Sequence, residues 1–551
     1  MVTVGPATQA AMVLAFCLVL VAVWALSRPR GAWGRRLRSR FLLGVPWGTL
    51  VVLGVVLAVY IGLQRGAAHR YDPLYLPFVS WSYRYPLGML TAPFAHEGFG
   101  HLRGNLVGAL VLAPLAEYAW SHFPQSRGQT SFSSWRTNPY VRAFVLFPLG
   151  TVLVAWGTAW LHWGPVVGFS GAVFAFAGFA LVRYPLATVL ALVARQTVGL
   201  ALPAFEEPVD FAEASVQFTQ PSWAGVAVLG HFLGLLLGAL VGALVLRRRP
   251  QLPSAPRLAV GAALAATMLE LWALWWYRGP ASYVVYRAAG VAVVLLAAAA
   301  LALVVRASDR PLVEGLSRRR AATLLFVVPL LVVAFVAVPV NFADVPAGST
   351  PNADGAVSVR GYDVTYAEDV SNQRITGVNV TVGEETTDVR ASGVIVVNDD
   401  REVWTQATPP GELDANRVAR VRLGGLTWDR SVLGLRTGWN VVGNGSVYAV
   451  WLRADGGPWV HSFDSPASTA RPVVAGRLVT VVHAPNRTGP ATTGGFGLRV
   501  GTGNRSLGAA PMPTADRNTS AGGVTFVRNG ETVVALRNDT RVRVASRETA
   551  A

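Results

Sequence analysis

Four residues in apolar surroundings carry the side chains that acyl transfer uses. Ser170 stands in Gly168-Phe169-Ser170-Gly171, within the apolar run from Pro165 to Leu181. His231 is the one histidine of a second run, Trp223 to Leu246, and His101 and Asn105 open a third that ends at Trp120. A hydroxyl becomes a competent nucleophile when a base within hydrogen-bond distance takes its proton. His and Asn side chains can donate to a carbonyl oxygen as it turns negative. Polar groups inside a membrane are costly, face the protein interior and are functional candidates by default.

Each residue also has a plainer reading. Gly-x-Ser-Gly alone is a helix-packing motif, because small residues let membrane helices approach closely. A lone His231 is a satisfied interior histidine, and His101 with Asn105, one turn apart, makes an ordinary interhelical hydrogen bond. Spacing argues for the set. Gly171, Ala175 and Gly178 fall at i, i+4, i+7 beside Ser170, while His231, Gly234 and Gly238 share a face at i, i+3, i+7. Packing the two stripes together brings the hydroxyl to the imidazole. Ser170, His101 and His231 also fall in the first third of their runs, and therefore at one depth in the outer leaflet. His96-Glu97-Gly98-Phe99-Gly100-His101 looks like a zinc protease signature, but that motif needs histidines at i, i+4 on one helix face. Here they are i, i+5 with no third ligand in sight, so neither a metal nor a cofactor is expected.

The elements that must hold these residues are membrane helices. Of 551 residues, 52% are apolar and 14% charged. Up to Val340 there are 26 arginines against 10 acids, a net of +16; from Asn341 onward 21 face 20, a net of +1, and there is no lysine. The arginines of the first half mark the ends of apolar runs, without a basic stripe interleaved with aromatics. They read as topology signals rather than a nucleic-acid surface. Cys17 is the single cysteine, which excludes a disulfide framework.

About 20 apolar residues cross a bilayer core. By that rule the spans are 8–27, 41–63, 98–120, 140–162, 166–184, 186–203, 223–246, 257–277, 286–305 and 321–340. A cleaved signal peptide competes for the first, but Arg28, Arg30, Arg35, Arg36, Arg38 and Arg40 follow it as a stop-transfer pattern. Arg195 and Gln196 interrupt 186–203, which leaves an interfacial or re-entrant helix open there. Ten spans from an outside N-terminus place inside that basic cluster, Arg127, Arg136, Arg142, the Arg247-Arg248-Arg249 run and the stretch Arg306 to Arg320. They place outside the loop with Glu206, Glu207, Asp210 and Glu213. The expectation is a multi-pass plasma-membrane protein with both its N-terminus and its C-terminal region extracytoplasmic.

After Val340 the pattern changes to short β-branched or alternating segments such as Val394–Val397, Val447–Arg453 and Leu478–Val482, bounded by Gly, Pro, Asn and Asp. Val524–Arg528, Asn529-Gly530 and Thr532–Leu536 read as a hairpin with a tight two-residue turn. An all-β, sandwich-like region follows from this pattern. Six asparagines there, Asn379, Asn444, Asn486, Asn504, Asn518 and Asn538, begin N-x-S/T sequons. Its ligand is not legible.

The ordered set resembles the rhomboid family of intramembrane serine proteases. His96-x4-His101-x3-Asn105 is similar to the family's second core helix, with Glu117 where an acid is frequent. Gly168-Phe169-Ser170-Gly171 is similar to its GxSG motif, and Gly230-His231-x2-Gly234-x3-Gly238 to its last core helix. The resemblance implies Ser170 as nucleophile, His231 as general base without an essential aspartate, and His101, Asn105 and the Ser170 N–H as oxyanion hole. It implies that His96 supports the structure. Two features depart from the pattern: Trp81 and Arg84 are spaced differently from the family's Trp-Arg pair, and Phe174 stands where a tyrosine is common.

Four domains follow: 1–40, an extra transmembrane helix and basic cytoplasmic loop; 41–250, a six-helix rhomboid-like core; 251–340, three further helices; and 341–551, the β-rich region. The function implied is hydrolysis of peptide bonds in or beside the transmembrane segments of other membrane proteins. Water would enter past the loops 64–97 and 204–222. Two alternatives stay open. One is an inactive relative that binds transmembrane helices for trafficking or quality control, and the other an extracellular binding domain anchored by the helices.

Overall fold

A computed structural model describes residues 6–27, 31–124, 127–207, 219–246, 252–279, 282–376, 381–386, 388–484, 489–490, 495–503 and 505–550. Arg28, Arg30, Asp210, Glu213, Arg247, Arg248, Arg249 and the sequon residues Asn379, Asn486 and Asn504 lie outside the described residues. The chain divides into a helical unit (Met1–Ala214, Pro221–Trp276 and Tyr283–Ala343) and a β unit (Ser215–Gln220, Tyr277–Ser282 and Asp344–Ala551).

Among the described residues of the helical unit, seven helices are long and apolar enough to cross a membrane. They are Thr8–Ser27, Phe99–Trp120, Pro139–Trp160, Pro185–Glu206, Val228–Leu246, Arg287–Arg306 and Arg318–Phe342. Trp47–Leu63, Ser170–Leu181 and Ala255–Met268 are shorter apolar helices. This is a multi-pass helical membrane core. Arg195 and Gln196 do not break Pro185–Glu206, which runs unbroken for 22 residues.

Four expected spans are corrected, the first being 41–63, which opens with a short 3-10 turn, Leu42–Gly44, and becomes helical only at Trp47. The run 166–184 is not helical throughout: residues 161–169 are loop, and the helix starts at Ser170 itself. Gly168, at φ +121°, turns the chain in a conformation that L side chains rarely adopt. The run 223–246 opens with a short 3-10 turn, Ser222–Gly225, and its helix begins only at Val228. The run 257–277 stops being helical at Met268, and Trp275–Gly279 pairs as a strand with Ser282–Val285.

At 1.5 Å per residue the 12-residue serine helix, Ser170–Leu181, extends for only about 18 Å. That suits a helix enclosed by protein rather than lipid. Ten of its residues are buried, Gly171 to Gly178 without interruption, then Ala180 and Leu181. Glycines set its distance from the histidine helix, Val228–Leu246: a methyl group at Gly234 would collide with the Gly171 carbonyl oxygen, and one at Gly238 with that of Ala175. A methyl at Gly178 would in turn meet the Leu235 carbonyl. The expected small-residue stripes are therefore the contact surface between these two helices.

Glu117, near the end of Phe99–Trp120, is buried and accepts from the backbone N–H groups of Gly48 and Thr49, each at 2.8 Å, and from Thr49 Oγ1 at 2.7 Å. It thereby satisfies the free N–H groups that open the helix from Trp47. His122 Nε2 lies 2.6 Å from Oε1, the oxygen that also accepts from Gly48.

The β unit is antiparallel. One sheet orders Val403–Thr408, Arg390–Asn398, Tyr362–Ser371 and Val357–Val359. An eight-stranded sheet is built around Asp429–Val441, Gly445–Ala454 and Thr540–Arg547. Trp439, Val447 and Phe526 of that sheet share one core with Val479, Val481, Phe496 and Leu498 of a further four-stranded sheet, a sandwich-like arrangement. The predicted hairpin pairs Val524–Asn529 with Thr532–Arg537; Asn529 faces Thr532, so Gly530, at φ +59°, and Glu531 form the turn.

Candidate active site

Ser170 is the first residue of its helix, His101 the third of Phe99–Trp120 and His231 the fourth of Val228–Leu246. The structure brings all three to one place. Ser170 Oγ lies 2.7 Å from His231 Nε2, in hydrogen-bond contact. The Phe174 ring, one turn beyond Ser170, stacks on the His231 imidazole with centroids 4.0 Å apart and planes 16° apart. His231 Nδ1 has no hydrogen-bond partner among the described residues, so no carboxylate orients the ring from behind. Stacking and the Ser170 contact hold it instead.

The loop before Ser170 is fixed at several points. Gly168 N–H donates to the Ala92 carbonyl at 2.9 Å, and Ser80 and Val166 exchange hydrogen bonds at 3.0 to 3.1 Å. A Cβ on Gly168 would lie 2.6 Å from His101 Nε2, so glycine is required both for φ and for the approach of that ring. The same point lies 3.6 Å from Asn105 Nδ2. His101 and Asn105 thus flank the turn that delivers the serine. Asn105 is buried and its Nδ2 has no partner among the described residues. As the start of a helix, Ser170 also presents backbone N–H groups that lack intrahelical acceptors.

His96 is fully buried behind His101, edge to face at 5.0 Å between ring centroids. Gln64 brackets its backbone, donating to the His96 carbonyl at 2.6 Å and accepting from its N–H at 2.8 Å. Burial, and secondarily the neighbouring His101, pushes its pKa down to about 3, so the imidazole stays neutral.

A cavity of about 500 Å³ collects Ser170, His231, His101 and Asn105, together with Arg195 and Glu270. Residues 83–248 match the family model of the Rhomboid domain. The chain carries a rhomboid domain. Nothing among the curated proteins or the solved structures matches the chain.

The rhomboid domain contains the four residues singled out by sequence, but residues outside it complete their surroundings. Asn341, at the end of Arg318–Phe342, is buried and donates from Nδ2 to the carbonyls of His162 at 2.8 Å and Trp160 at 3.2 Å. Its Oδ1 accepts from Gly164 N–H at 3.3 Å, and its backbone carbonyl accepts from Ser82 Oγ and from Tyr83 N–H, each at 3.0 Å. Asn341 therefore grips the loop that leads into Gly168 and Ser170. His162, on that loop, stands against Gly230, where a Cβ would be 3.0 Å from its ring. Neither Asn341 nor His162 was singled out by sequence, because an asparagine or histidine just past an apolar run looks like an ordinary interfacial residue. Arg195 does carry a signal, a charge in mid-span, which hydropathy registers only as a break.

Proposed function

We propose that the protein is an intramembrane serine endopeptidase that hydrolyses peptide bonds in, or next to, the transmembrane segments of other membrane proteins. The observation that carries this reading is the 2.7 Å contact between Ser170 Oγ and His231 Nε2 in a cavity shared with His101 and Asn105. Ser170 Oγ attacks the scissile carbonyl carbon while its proton passes to His231 Nε2. The carbonyl oxygen, now negative, accepts hydrogen bonds from Asn105 Nδ2, His101 and the Ser170 N–H. As the intermediate collapses, the C–N bond breaks and His231 returns the proton to the departing amine. Water then attacks the acyl-enzyme with His231 as base, and the proton goes back to Ser170 Oγ. Gly168 and Gly171 allow the close packing that places the nucleophile, Gly234 and Gly238 do so for the base, and Phe174 and His96 support the two imidazoles.

The arginine distribution supports a plasma-membrane orientation with the N-terminus and the β unit extracytoplasmic. Water then reaches the dyad from outside. A helical substrate must unwind to expose its scissile bond, so segments with Gly or Pro near the outer interface are preferred as weak helix formers, and Ala as a small residue that fits a tight site. Purified protein should cleave such a model transmembrane segment, and Ser170→Ala and His231→Ala should not. Equal cleavage by Ser170→Ala would overturn the reading. Loss of cleavage by wild type itself would leave a rhomboid relative that binds transmembrane helices without cutting them.

A further inference from the structure

Three arginines lie in the membrane helices of this core, and they are treated differently. Arg142, in Pro139–Trp160, donates to the carbonyls of Ser121 at 3.0 Å, Arg136 at 3.1 Å and Trp120 at 3.2 Å, and lies over the Trp120 ring. Arg103, in Phe99–Trp120, pairs with Glu206 at 2.9 Å. Arg195 is the eleventh of 22 residues in Pro185–Glu206, the middle of a span, yet its guanidinium makes no hydrogen bond or ion pair with a described residue. Its side chain crosses at Gly108, where a Cβ would lie 3.4 Å from Nε, and it lines the cavity that holds Ser170 and His231. Gly108 is three residues beyond Asn105 on the same helix, so this charge stands one turn from the oxyanion donors. Glu270 lines the same cavity, is exposed, and acts on Arg195 electrostatically from beyond ion-pair distance, so the guanidinium donors stay open.

An intramembrane charge with no hydrogen bond or ion pair among the described residues, and that faces a cavity, is placed for a ligand. We propose that Arg195 is a specificity-determining residue that receives a side-chain carboxylate, Asp or Glu, carried by the unwound substrate close to the scissile bond. The inference rests on the protease reading above. The planar guanidinium offers paired N–H donors that match a carboxylate's two oxygens, a geometry that neither an amide nor a hydroxyl reproduces. Recognition strengthens against the low-dielectric wall of the cavity, where charge–charge attraction is less screened than in bulk water. The preferred substrate is thus a transmembrane segment whose helix-weak stretch contains one acidic residue.

The test uses full-length protein in detergent micelles and matched transmembrane substrates that differ at one position scanned along the unwound stretch: Asp, Asn or Lys. Wild type should cleave the Asp substrate over the Asn substrate by about tenfold at the optimal position, mainly through KM, as a charge-assisted pair formed on binding requires. Arg195→Gln should bring the Asp:Asn ratio to about one, and Arg195→Lys should retain part of the preference. Arg195→Glu should shift the preference to the Lys substrate, a reversal that a merely structural role would not produce. Equal cleavage of Asp and Asn substrates by wild type at every position overturns the assignment while leaving the protease reading intact. Absence of all cleavage, with no fluorophosphonate labelling of wild type, overturns both.

Discussion

Ser170 is positioned by what precedes it. A glycine at φ +121° turns the chain into the helix, so the hydroxyl sits at a helix start facing His231, with the free N–H groups of the first turn beside it. Asn105 supplies a buried amide whose donor has no partner among the described residues. On the proposed mechanism such a donor gains its bond when charge develops on the substrate, so its worth appears in the rate step rather than in binding. Asn105→Ala should lower kcat by about 10² with little change in KM, a cost typical of one lost oxyanion donor. Steady-state kinetics on a model transmembrane substrate reads this, and an effect confined to KM would remove Asn105 from the oxyanion site. At this scale much was legible: serine, histidine and asparagine stand out against an apolar background because each costs free energy there unless it is used. Asn341 was not legible, since its partners are carbonyls of a loop about 180 residues away in sequence, and carbonyls leave no trace in residue type.

Helix packing converts those residue types into a site. Gly234 and Gly238 let the histidine helix lie directly on the backbone of the serine helix, with no room for a methyl group. Gly234→Val should separate the two helices, stretch the Ser170–His231 contact and lower cleavage by at least about 10², a loss typical when a catalytic contact is misplaced by about 1 Å. Gly54→Ala, where a Cβ meets nothing within 4 Å, is the matched control and should leave activity unchanged. Equal activity in the two variants would show that the glycine seam does not set the dyad. Asn341→Leu should release the loop ahead of Gly168 and lower kcat about tenfold, the loss of a positioning bond. Asn341→Asp should fail to restore it, because a carboxylate accepts from Gly164 but cannot donate to the carbonyls of His162 and Trp160. Full activity of Asn341→Leu would make this helix an accessory.

The apolar runs revealed where helices lie but not where they begin. Residues 166–169 are as apolar as the helix they precede, and among them only Gly168 marks the break. Non-helical backbone at that depth is tolerable because it borders a cavity. Hydropathy cannot register that condition, since it depends on neighbours from other helices.

The whole molecule joins a helical membrane unit that carries the rhomboid domain to an antiparallel β unit with its own cores. The change in composition after Val340 was legible because strands and membrane helices differ in period and in turn residues. Sheet order was not, since long-range pairings such as Asp429–Val441 with Thr540–Arg547 have no local signature. Orientation can be read on intact cells. In a Cys17→Ser background, Asp539→Cys, in an exposed strand turn of the β unit, should react with a membrane-impermeant maleimide. Glu314→Cys, in the exposed turn between Pro311–Val313 and Leu316–Ser317, should react only after the cells are lysed. The opposite pattern would invert the membrane orientation and put water access to the dyad on the cytoplasmic side.

The central claim is that His231 activates Ser170 as a nucleophile, and mass-spectrometric mapping of a fluorophosphonate adduct on the purified full-length protein tests it most directly. A single adduct should form on the peptide carrying Gly168-Phe169-Ser170-Gly171, absent in Ser170→Ala and reduced to background in His231→Ala. An adduct on another residue, or undiminished labelling of Ser170 in His231→Ala, would contradict it.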